Sequence, residues 1–108
     1  MALYLVQVEY TPEAAAALVN NPQDRSEAIR PSIEKLGGKL DHFWISLGKY
    51  DTAVVVQMPD PVSAAALELA VLAGGVCKSI ITTPLLTVQE GMEAMKKAAA
   101  SGYKPPSR

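Results

Sequence analysis

The chain has one histidine, His42, and it stands two residues before the one tryptophan, Trp44. Imidazole is the only side chain whose unperturbed titration falls near neutrality, so His42 is the candidate general base. In a sheet-walled cavity it would deprotonate an activated carbon acid. The plainer alternative is a histidine hydrogen-bonded at a subunit interface. Tyr50 and Asp51 set a phenol donor beside a carboxylate, a pair suited to holding a ligand. They also close the run Gly48-Lys49-Tyr50-Asp51, which reads as a turn with Asp51 bonding the turn backbone and Tyr50 packed at its edge. Cys77 is the one cysteine. As a nucleophile it would need a depressed pKa and a partner base, so a buried, inert thiol is the simpler reading.

Other chemistries find little to build on. One histidine, one cysteine and scattered carboxylates lack metal-ligand spacing, so no metal is expected. Gly37-Gly38 and Gly74-Gly75 follow helical patterns rather than opening them. They are helix stops, not phosphate loops, and no cofactor is expected. Ten Lys and Arg against eleven Asp and Glu leave a net charge of −1. No block of like charge exists to follow a phosphate backbone, so nucleic acid is not an expected partner. A single cysteine forms neither an internal disulfide nor a CxxC pair, which favours a reducing, cytoplasmic setting. The first residues lack the basic start of a secretory signal. No run approaches the roughly 20 apolar residues that span a bilayer, so no membrane is expected.

These residues need elements to position them. At 108 residues and 49% hydrophobic, the chain has the length and composition of one folded domain. Residues 2–10 alternate as a strand, with Tyr4, Val6, Val8 and Tyr10 on one face and Leu3, Leu5, Gln7 and Glu9 on the other. Thr11-Pro12-Glu13 opens a short helix. Asn21 caps a second, with Pro22 first and Asp24 third, and Ile29, Ile33 and Leu36 form its stripe. Pro31 predicts a kink in it, and Gly37-Gly38 an end. Residues 39–47 form a strand with Phe43, Ile45 and Leu47 on one face and Leu40, His42 and Trp44 on the other. Gly48 to Asp51 turns the chain into a strand over 52–58, whose three valines suit a central position. Asp60-Pro61 starts a helix that reaches Ala73. Residues 76–83 form a fourth strand, with Pro84 marking an edge. Thr87-x-x-Glu90 is a capping box, and Val88, Met92, Met95 and Ala99 follow as an apolar stripe. Residues 103–108 read as a loose tail.

The order β-α-β-β-α-β is the ferredoxin-like, split β-α-β arrangement, an α+β fold with a four-stranded antiparallel sheet and helices on one face. The expected division is 1–86 for this domain and 87–108 for an extra C-terminal amphipathic helix and tail. The open sheet face would carry Leu3, Leu5, Gln7, Leu40, His42 and Trp44. Monomers seldom expose so large an apolar patch, so a homo-oligomer, at least a dimer, is expected. The helix before Gly74 is apolar nearly all round. Its Leu69 or Leu72 should meet the Val88, Met92 and Met95 stripe, from the same subunit or a neighbour.

At this point the residues resemble a family. Gly48-Lys49-Tyr50-Asp51 is similar to the signature of the GYD domain family. Glu9-Tyr10-Thr11, Leu36-Gly37-Gly38-Lys39 and Met58-Pro59-Asp60 flank it at matching places. The resemblance covers roughly residues 2–90. It implies small bacterial or archaeal proteins of the dimeric α/β-barrel kind and brings no established activity. Three functions follow as expectations. The first is a non-enzymatic oligomeric module, binding a small apolar or aromatic ligand between sheets at Leu3, Leu5, Gln7, Leu40 and Trp44. The second is a cofactor-free oxygenase or isomerase with His42 as base. The third is a ligand sensor acting through a partner.

Overall fold

Strand β1 (Ala2–Tyr10) alternates as the sequence predicts, with Tyr4, Val6 and Val8 buried and the residues between them half-buried. Thr11 accepts the Ala14 N–H and starts α1 (Pro12–Asn20). The computed structural model describes residues 1–107. Beyond α1 come α2 (Arg25–Lys35), β2 (Lys39–Ile45), β3 (Thr52–Met58), α3 (Pro61–Ala73), β4 (Cys77–Leu85) and α4 (Val88–Ala99). The strands form one antiparallel sheet in the order β2-β3-β1-β4, the ferredoxin-like order. α2 lies over β2, and α3 over β3 and β4. Ile33 of α2 and Ala64 and Leu67 of α3 close on Val6, Val54, Val56 and Met58 of the sheet to make the core.

Several elements depart from the sequence reading. Asn21 ends α1, its N–H bonded to the Ala17 carbonyl, and does not cap α2. Asp24 caps α2 instead, taking the Ser26 N–H at 2.9 Å. A carboxylate this close to the amphipathic stretch displaces the earlier asparagine. α2 then runs through Pro31 without ending. β2 stops at Ile45, because Ser46 already belongs to the turn, its N–H bonded to the Asp51 carbonyl and its hydroxyl to the Tyr50 carbonyl. Leu47 is consequently exposed. β4 continues to Leu85 with Pro84 inside it, tolerated because the strand is an edge. β3 is an inner strand, but only one of its faces is covered within the chain.

The main correction concerns Leu40. The register between β2 and β3 shifts between Leu40 and His42, a bulge at Asp41. Leu40 therefore pairs with Val56 on the helix-covered face and is only 6% exposed. It belongs to the core and not to the open face. Strict alternation across 39–47 misplaces it by one residue, which is what an extra residue in a strand does.

α4 has the expected capping box. Thr87 accepts the Glu90 N–H at 3.1 Å, and the Glu90 carboxylate accepts the Thr87 N–H at 2.9 Å. Its stripe does not lie on α3 of its own chain. Val88 is 84% and Met95 69% exposed, and Leu69 of α3 is 63% exposed. Residues 103–107 have no regular structure, and Arg108 of the expected tail lies outside the described residues. No helix among the described residues is long and apolar enough to cross a membrane.

Candidate functional site

The register sets the open face in rows. Lys39, Gln57, Leu3 and Leu85 form one row, with His42, Val55, Leu5 and Thr83 in the next. Trp44, Ala53, Gln7 and Ile81 form the third. Glu9 and Ser79 close the end, the Ser79 hydroxyl donating to the Glu9 carboxylate at 2.9 Å. On the β2 side the bulged Asp41 accepts both its bonds from the Gln57 amide, each at 3.1 Å. The face thus has an apolar middle and a polar border. Leu3, Leu5, Gln7, His42 and Trp44 come together on it as expected, and Leu40 does not.

His42 and Trp44 project from the same side of the edge strand and stack. Their ring centroids are 4.6 Å apart at an interplanar angle of 10°. Trp44 is 53% exposed even so. This pair is a flat aromatic platform at one border of the face.

Tyr50 and Asp51 are used by the turn. The Asp51 N–H donates to the Val8 carbonyl at 2.8 Å, and its carboxylate accepts the Tyr10 N–H at 2.8 Å. The carboxylate thereby supplies an acceptor that the ladder lacks, at the point where β1 and β4 shift register. The Tyr50 ring lies under Lys49, whose Nζ is 5.8 Å from the ring centroid. Gly48 makes the reversal possible with φ +99°. Cys77 is half-buried, with its Sγ 3.9 Å from the Val71 carbonyl. No cluster of three metal-ligating side chains exists among the described residues.

Sequence reasoning missed a second feature on the opposite face. α2 and α3 leave between them a cleft of about 340 Å³, floored by Val8, Thr52 and Val54 and walled by Ile29, Phe43 and Val71. Tyr10 and Arg25 also line it, and they border the adjoining groove beside Pro22 and Asp24, which places them at its mouth. Burial pushes the Tyr10 phenol above its usual pKa. Arg25 opposes that rise, and Asp51 and Cys77 add to it. The phenol therefore keeps its proton at neutral pH.

The strand order and the β-α-β-β-α-β chain order make this a small α+β domain of ferredoxin-like arrangement. The family model for the GYD domain matches residues 4–95, and the chain belongs to that family. The match passes through β4 and into α4. Comparison with curated proteins and with solved structures finds no match.

Proposed function

We propose that this chain is a self-associating, non-catalytic module in which the open sheet face of one copy covers that of another, working in the reducing cytoplasm. The observation that carries the reading is the apolar middle of that face. Leu3, Leu5, Val55, Ile81 and Leu85 have no covering layer in their own chain. Two such sheets packed face to face stand about 10 Å apart and interdigitate these side chains. A polar border of Lys39, Asp41 with Gln57, and Glu9 with Ser79 is the usual rim of such an interface. The ligand that the sequence suggests between the sheets is better accommodated on the helix side, where the cleft lies.

Catalysis through His42 has less behind it. A general base works when a carboxylate or carbonyl fixes its tautomer and aims its free nitrogen. His42 is instead an exposed residue whose ring lies flat against Trp44. That stack makes the imidazole part of the apolar platform.

Sedimentation velocity at micromolar concentration tests the reading. The wild-type protein should sediment as a dimer or larger, and Trp44→Glu should shift it toward the monomer. A monomeric wild-type protein would overturn the proposal.

A further inference from the structure

We propose that the cleft between α2 and α3 binds a small organic acid, its apolar body against Ile29, Phe43, Val54 and Val71 and its carboxylate at Arg25 and the Tyr10 hydroxyl. The cleft is large enough. Its volume of about 340 Å³ falls within the roughly 300–1,000 Å³ typical of small-molecule sites. Its walls are mostly aliphatic and aromatic, so they reward an apolar body.

Charge selects the head group. Arg25 is the only residue lining the cleft with a formal charge at neutral pH. Among the described residues no carboxylate lies within 4 Å of it, and its guanidinium makes one bond, to the Gln23 side chain at 3.2 Å. Asp24 and Asp51 keep their charges, but their hydrogen bonds go to other donors and not to Arg25. Asp24 takes the Ser26 N–H and hydroxyl, and Asp51 takes the Tyr10 N–H. Arg25 is also the first residue of α2, where the helix dipole favours an anion. On the lining of the same cleft, the protonated Tyr10 phenol is a second donor. A forked guanidinium and one hydroxyl suit a planar, singly charged carboxylate. A phosphate dianion would leave much of its charge unmatched there, and an amine would be repelled.

The cleft is on the opposite side of the sheet from the open face. Ligand binding and the association proposed above can therefore succeed or fail independently.

The experiment titrates full-length, methyl-labelled protein with 3-phenylpropionate and follows it by NMR. The neutral 3-phenylpropan-1-ol and the cationic 3-phenylpropylammonium serve as matched probes. The acid should shift the methyls of Ile29, Val54 and Val71 saturably. It should bind roughly tenfold or more tightly than the alcohol, as a charge-assisted bond to Arg25 requires, and the ammonium should bind weakest. Arg25→Gln, at an accessible helix start, should abolish the preference for the acid over the alcohol. Arg25→Lys should restore part of it. Equal affinity for acid and alcohol in the wild type would overturn the proposal. So would shifts confined to Leu3, Leu5 and Val55, which report the open face, or the absence of saturable shifts.

Discussion

Two glycines show how different the demand on one residue type can be. Gly38 follows α2 where the chain passes close under β3. A Cβ built there would lie 2.5 Å from the Gln57 carbonyl oxygen, 2.5 Å from the Met58 Sδ and 3.2 Å from Ile33 Cγ2. The first of these is ladder backbone and cannot yield cheaply. Gly38→Ala should cost about 1–3 kcal/mol, the usual range for overpacking. Gly48 has nothing within 4 Å but sits at φ +99°. Gly48→Val should cost about 1 kcal/mol from the backbone alone. Urea midpoints of the two variants measure both, and a neutral Gly38→Ala would contradict the close approach. Tyr10 adds a pH dependence. Burial raises its folded pKa above the ordinary value of 10.0. Its contribution is then fully present below the ordinary value and is lost as pH rises through the raised one. Thermal melts should show a loss of stability above pH 10 that Tyr10→Phe reduces; an unchanged alkaline limb would refute this.

At the scale of elements, the local signals that act within one turn of chain are legible in the sequence. Thr11, Asp60 and Thr87 cap their helices as read, and the Gly48 turn joins β2 to β3. What the sequence hides depends on distant partners. The bulge that buries Leu40 is set by pairing with β3, and alternation alone gives no sign of it. Placing Tyr10 and Arg25 on one cleft needs β1 and α2 brought together by the fold. α4 is the remaining case. A lone helix of 12 residues is marginal in water even with good caps. Its stripe is exposed and its own α3 does not cover it, so if the association proposed above includes α4, the stripe packs on another copy. Truncation after Leu86 should then leave dilute protein nearly as stable and reduce the rise of melting temperature with protein concentration. A concentration dependence identical to the full chain would remove α4 from any interface.

The whole molecule is extended for its size. Its radius of gyration is 17.3 Å, against about 13 Å for a compact chain of this length, and its extents are 57 × 36 × 22 Å. Besides the exposed α4 stripe, two further apolar regions are exposed, and they lie in different layers. Leu3, Leu5 and Trp44 are on the open sheet face, whereas Leu69 and Leu72 are on α3, across the sheet. A copy docked on the sheet face keeps its own α3 on its far side. With sheets about 10 Å apart and α4 about 18 Å long, the helix would have to pass both of that copy's layers to reach it. If α4 packs on an α3 surface, we expect a third copy to supply it. Two interfaces on opposite sides act independently, and their losses should add. Native mass spectrometry of four proteins checks this. The full chain should exceed a dimer, and the chain ending at Leu86 should stop at two. Trp44→Glu should retain association through α4, and the combined variant should be monomeric. If Trp44→Glu alone already gives only monomer, α4 depends on the sheet interface and the assembly has one joint instead of two.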